Sequence, residues 1–168
     1  MGIVAALLLC IVSSGAAAQA LQTETWGSRW VVVGVTIFVV VLCVLMHYEA
    51  FSLLTTLLRR VHLRQRPKIL LLIFAILLIH VADIWVFGST YYVLTSFEGY
   101  GTLVSSHAIG FLDSIYFSAV CYTTLGFGDV LPTGAIRFLA GVEALSGFVL
   151  ITWSASFTFL EMERFWRA

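Results

Sequence analysis

Nine consecutive residues, Cys121-Tyr122-Thr123-Thr124-Leu125-Gly126-Phe127-Gly128-Asp129, hold the most specific chemical pattern in the chain. Gly126 and Gly128 alternate with bulkier neighbours, and glycine accepts left-handed backbone angles that other residues resist. A strand that alternates between the two hands points successive carbonyls to one side. Four such strands around an axis make rings of oxygens that replace the water shell of a dehydrated cation. A Gly-x-Gly turn alone would also suit a plain hairpin between helices. The phosphate loop of a dinucleotide fold is excluded, because no strand precedes it, no third glycine follows at the needed spacing and no crossover unit surrounds it.

The surroundings of this segment are a membrane. The chain has 168 residues, 61% hydrophobic and 11% charged, with a mean hydropathy of +1.03, whereas soluble domains carry roughly a quarter charged residues. Nine basic and nine acidic side chains cancel, so no basic surplus points to nucleic acid. Cys10, Cys43 and Cys121 lie in apolar stretches and offer neither a disulfide framework nor the paired spacing of a zinc site. In lipid, backbone that is neither helix nor closed barrel must be buried in protein or line water, so the glycine segment needs a functional reason.

Apolar segments run from Ile3 to Ala20, Trp30 to Met46, Ile69 to Leu94 and Thr133 to Leu160, with a shorter piece from Phe111 to Thr124. A span takes about 20 residues, and about 10 to 14 fits a re-entrant helix. Residues 1–20 read either as a signal peptide without its usual positive start or as a first transmembrane helix. An external segment and a transmembrane helix then occupy 21–48. A basic amphipathic segment at 49–68 holds Arg59, Arg60, Arg64, Arg66 and Lys68 without an acid after Glu49, which places it in the cytoplasm. Phe51, Leu54, Leu57, Leu58 and Val61 recur at helical spacing there, so this piece is expected to lie along the inner surface, either simply setting topology or holding anionic lipids. Residues 69–160 make the pore region and 161–168 a cytoplasmic tail. The short apolar piece is then external, Asp113 or Ser114 caps its helix, and the helix C-terminus favours a cation at the membrane centre.

At these residues the chain resembles the potassium channels, most closely the small prokaryotic channels and the pore repeats of two-pore-domain channels. Thr124-Leu125-Gly126-Phe127-Gly128 fills the place of the filter, preceded by Asp113-Ser114-Ile115-Tyr116-Phe117-Ser118 and followed by Asp129-Val130-Leu131-Pro132. The resemblance covers roughly 69–160. It implies an all-α membrane protein with outer helix, re-entrant pore helix and inner helix in a tetrameric pore. It also implies potassium sites made by the carbonyls of Thr124, Leu125, Gly126 and Phe127 with the Thr124 hydroxyl. Gly128 completes the filter and Thr123 supports it. Some relatives carry a glutamate behind the filter that pairs with the motif's aspartate; Val120 stands there in this chain, which leaves Tyr116 as the first candidate partner of Asp129. Gly147 takes a hinge-like position on the inner helix, although close packing through Gly141, Ala144, Ser146 and Gly147 reads equally well. Glu98, Asp113 and Asp129, repeated by symmetry, would concentrate cations at the outer mouth.

Ionisable residues within apolar helices are rare and face protein or water. Asp83, His80 and Glu143 are such residues, and their depths suggest either a buried polar cluster that joins outer to inner helix, with the two carboxyls sharing a proton, or separate hydrogen bonds to backbone or to Tyr and Ser hydroxyls. His47 and His80 raise the question of haem. It is set aside because His80 stands about 18 Å beyond Lys68 while His47 is placed at the cytoplasmic end of its helix. No Arg or Lys recurs at every third position, so steep voltage sensing is not expected. The sequence therefore predicts a homotetrameric channel with potassium as permeant ion, no cofactor, no catalysis and no nucleic acid. It would sit in the plasma membrane, the inner membrane of a bacterium, with its C-terminus in the cytoplasm. A non-selective cation channel and a non-conducting scaffold that kept the pore fold are the rivals.

Overall fold

The computed structural model describes residues 26–60 and 65–167; the expected signal peptide or first helix at 1–20, and Arg64, fall outside them. Within the described residues the order is α1 (Trp26–Arg60), α2 (Gln65–Thr95), β1 (Leu103–Val104), α3 (Phe111–Tyr122), β2 (Leu131–Pro132) and α4 (Ile136–Arg167). Helices α1, α2 and α4 are long and apolar enough to cross a membrane, and α3 is the short apolar helix. All three long helices are apolar on every side, as lipid requires of a helix that also packs on protein. Their hydroxyls are satisfied locally: Thr36, Thr90 and Ser154, for example, each donate to the carbonyl four residues earlier, which keeps polar groups out of hydrocarbon.

One stripe of α1 faces the protein. Val32, Thr36, Val39, Cys43, His47, Phe51, Leu54 and Leu58 are buried, at steps of three and four that trace one side of a helix, while Ile37, Phe38 and Leu45 on the other side are exposed. The stripe does not stop where the apolar span was expected to end. It runs on through Phe51, Leu54 and Leu58, which pack with Leu72, Ile76 and Phe157. The segment expected to lie along the inner surface is therefore the last turns of α1, and its helical spacing belongs to a packed face. No glycine or proline occurs between His47 and Arg60, so nothing breaks the helix there. Helix α4 likewise continues past Leu160 as far as Arg167.

Close contacts hold the short helix against its neighbours. A Cβ on Gly88 of α2 would stand 2.7 Å from the Ile115 Cα, so glycine lets α2 and α3 approach. Tyr91 meets Phe117 edge-on at 5.0 Å and Tyr92 meets Phe111 at 5.2 Å. Beyond α3, β1 and β2 pair antiparallel with Leu103 opposite Pro132 and Val104 opposite Leu131. Thr133 Oγ1 donates to the Thr102 carbonyl at 2.9 Å beside them. The loop after α2 is thereby tied to the segment that follows the glycine motif.

Candidate functional site

Helix α3 has Gly110 as its N-cap, so neither Asp113 nor Ser114 caps it as expected. Asp113 sits at the third helical position and accepts the Gly110 N–H at 2.7 Å, satisfying a donor that the first turn leaves open. That bond, and after it the His107 contact, hold the Asp113 carboxyl below its ordinary range.

At its other end α3 folds directly into the glycine motif. Thr123 Oγ1 donates to the Ala119 carbonyl at 2.7 Å, and the Val120 carbonyl accepts the Leu125 N–H at 3.0 Å. Left-handed angles then fall on alternate residues: φ is +60° at Thr124, +59° at Gly126 and +79° at Gly128. Thr124 is the only non-glycine residue with positive φ among those described. Such a conformation costs free energy and gathers at functional sites. The side chains of Leu125 and Phe127 are 61% and 65% exposed in the single chain, so the motif projects away from its own subunit. At its far end Tyr116 Oη donates to Asp129 Oδ2 at 2.8 Å, the pairing expected when Val120 replaced an acid. The bond raises the Tyr116 phenol above its ordinary range. Glu98 is exposed in the turn after α2.

Behind the motif, Glu143 on α4 clamps the subunit together. It is fully buried, and it accepts the Tyr91 hydroxyl from α2 and the Ser118 hydroxyl from α3, each at 2.6 Å. The Ser118 proton is shared with the Ile84 carbonyl at 2.9 Å. Outer, pore and inner helices thus meet at one carboxyl. Asp83 has partners of its own: Tyr122 Oη donates to its Oδ2 at 2.8 Å, and His80 Nδ1 lies 2.9 Å from the same hydroxyl. The expected polar cluster of His80, Asp83 and Glu143 is therefore two nodes with tyrosine and serine hydroxyls between the helices, and these hydroxyls take the bonds that a shared proton would have supplied. Tyrosine and serine hydroxyls as separate partners are the alternative that the sequence leaves open; that they are Tyr91, Ser118 and Tyr122 has no sign in their spacing on apolar helices.

Gly147 takes the second of its two readings, and two histidine positions differ from expectation. α4 is continuous through Gly147, and the residue packs: a Cβ there would stand 2.1 Å from the Tyr122 carbonyl oxygen. His47 and His80, placed at different depths by sequence, have ring centroids 5.0 Å apart. Because α1 runs on to Arg60, His47 lies about 20 Å before its end and His80 about 22 Å after the start of α2, which puts them at one level.

Residues 79–164, just over half of the chain, match the family described as "Ion channel". The chain belongs to the two-transmembrane ion channel family. The match takes in α3, the glycine motif and nearly all of α4, so the channel's matched region holds the glycine motif and the Glu143 contacts behind it. The channel's α1 lies outside the match. No curated protein and no solved structure matched the chain.

Proposed function

We propose that this channel conducts potassium passively through a homotetrameric filter formed by Thr124 to Gly128. What carries the reading is the alternation of left-handed angles at Thr124, Gly126 and Gly128 on a strand that leaves the C-terminal end of a short re-entrant helix. Alternate hands direct the carbonyls of Thr124, Leu125, Gly126 and Phe127 to one side, where four copies would enclose the ion and replace its hydration shell. One strand cannot surround a cation. The exposure of Leu125 and Phe127 in the single chain supports assembly, since apolar side chains of that size are covered by partners in a symmetric ring. The negative end of α3 adds a favourable field below the filter, and Glu98, Asp113 and Asp129 supply acids at its mouth. Conduction makes and breaks no bond, so the protein is not an enzyme on this reading.

With the basic linker inside, the channel sits in the plasma membrane with its C-terminus in the cytoplasm. A cavity of about 650 Å³ near that end, lined by Tyr48, Thr55, Arg59, Arg60, Trp153 and Phe157 among others, suits an anionic lipid headgroup above apolar walls.

Reconstituted liposomes test the function. A potassium flux far above sodium is expected; equal fluxes would make it a non-selective cation channel, and no flux in correctly assembled tetramers would make it a scaffold.

A further inference from the structure

A second cluster lies deeper than the filter, and conduction does not use it. His47 of α1 with His80 and Asp83 of α2 offer one ligand atom each, all within 4.8 Å of one another. His47 and Asp83 are fully buried. Hydrogen bonding assigns the tautomers. The Tyr122 hydroxyl spends its proton on Asp83, so His80 Nδ1 must donate to that hydroxyl. His47 Nδ1 lies 3.3 Å from the Cys43 carbonyl and 3.1 Å from Asp83 Oδ2, and both are acceptors, so it too carries its proton on Nδ1. Each ring is left with a bare Nε2 lone pair. For His80 that is the form in which imidazole ligates a metal, oriented by an acceptor on its other nitrogen; His47 faces Asp83 with Nδ1, 3.1 Å from Oδ2, so an ion shared with Asp83 takes the place of the Nδ1 proton.

Two of the atoms so presented have no partner: His47 Nε2 and Asp83 Oδ1 are buried without a hydrogen bond. A buried polar atom left unpaired is unfavourable, and a cation held by the carboxylate gives Asp83 Oδ1 the partner it lacks. Two imidazoles and one carboxylate are a donor set of zinc and its neighbours in the transition series, whereas calcium and magnesium take mostly oxygen. The Cys43 thiol interacts with the Asp83 carboxyl from the adjoining turn of α1, and the fourth position of a tetrahedral ion is left to water. Tetrahedral zinc holds its donors roughly 3.3 Å apart, so the cluster must close by about 1.5 Å at its widest, a movement within reach of side-chain torsions. Phe51 and Trp153 pack beside His47 and shield the site from bulk water. His80 also lines a cavity of about 490 Å³ with Ser154, Thr158 and Met162, which leads toward the basic end of the helices.

We infer that His47, His80 and Asp83 form a binding site for one divalent transition-metal ion per subunit, zinc by donor chemistry, within the membrane-spanning helices. The site stands whether or not the filter selects potassium. It is joined to the pore helix through Tyr122, whose hydroxyl bridges two of the ligands.

The test uses full-length protein, freed of metal by chelator and held in detergent, titrated with zinc and separately with cobalt(II). One equivalent of zinc per chain is expected with a dissociation constant at or below about 10 μM. Cobalt should give the intense visible bands of four-coordinate geometry. His47→Gln and Asp83→Asn should each weaken zinc at least tenfold, while His107→Gln, at the exposed His107–Asp113 pair, should not change it. Failure to bind a stoichiometric ion overturns the proposal. So does undiminished binding in variants that keep the helicity of the parent. If those variants do not fold, the parent's cobalt spectrum decides: weak six-coordinate absorption overturns the site, and intense bands sustain it.

Discussion

Gly147 and the Tyr122 carbonyl occupy almost the same space: a Cβ on the glycine would stand 2.1 Å from that oxygen. The inner helix therefore touches the last residue of α3, two residues before the Thr124–Gly128 segment begins. Movement of α4 is expected to reach that segment, because Tyr122, Thr123 and Thr124 follow one another without a spacer. Gly147→Ala should force the two helices apart and reduce flux at least tenfold with α4 still helical. Gly34→Ala meets nothing within 4 Å and should leave flux unchanged while adding up to ~1 kcal/mol of helix stability. Liposome flux for the pair measures this, and equal behaviour would remove the contact from any role in conduction.

Gly126→Ala separates backbone angle from crowding. No atom lies within 4 Å of the added methyl, but φ there is +59°, and left-handed angles cost a non-glycine residue roughly 1–2 kcal/mol. In the proposed tetramer the strain would recur in every subunit around one axis. The variant should assemble as the parent does and lose potassium flux. A mutant that assembles and conducts like the parent would place the ion path elsewhere.

Glu143 holds two hydroxyls, which makes its substitutions informative. Gln keeps one oxygen to accept, and its amide can donate to Ser118, whose own proton still reaches the Ile84 carbonyl at 2.9 Å. Tetramer heat resistance on a gel should fall only slightly. Leu leaves the buried Tyr91 hydroxyl with no acceptor, a cost of about 1–3 kcal/mol per subunit, and the tetramer should come apart at clearly lower temperature. If Leu is harmless and Gln disruptive, the carboxyl does not act as the clamp described.

Asp113 gives the pH dependence at the outer mouth. Its carboxyl is held below the ordinary value by the Gly110 N–H and then by His107. A depressed carboxylate contributes stability that is fully present above its unfolded pKa of about 3.9 and lost as pH falls through the lower folded value. The difference in heat resistance between parent and Asp113→Asn should therefore stay constant from pH 8 to about 5 and shrink below about 4. A difference that persists undiminished well below about pH 3 would mean that the helix-start bond does not hold the acid in its ionised form.

Tyr116→Phe removes the 2.8 Å bond to Asp129 with little change in shape. The filter's outer end then loses its tie to the pore helix. Single-channel recordings should show shorter openings at unchanged selectivity, and unaltered open times would confine the bond to a passive role.

Local features were legible without a structure because local physics produces them. The spans follow from apolar length, and the Tyr116–Asp129 pairing follows from the absence of an acid at Val120. The filter's alternating hands follow from where glycine stands, although the third left-handed residue, Thr124, has a Cβ and takes that angle only because the surrounding chain imposes it. Where α1 ends was written in the sequence as well, in the lack of any glycine or proline from His47 to Arg60, but the fall in hydropathy after Met46 masks it. That misplaced end put His47 at the wrong depth and hid its meeting with His80. Other relationships had no local trace at all. Tyr91, Ser118 and Glu143 come from three helices, as do Cys43, Asp83 and Tyr122, and the approach of Tyr122 to Gly147 joins two. Each depends on the rotation and depth of one helix against another, which close packing of whole faces sets and no single segment can encode.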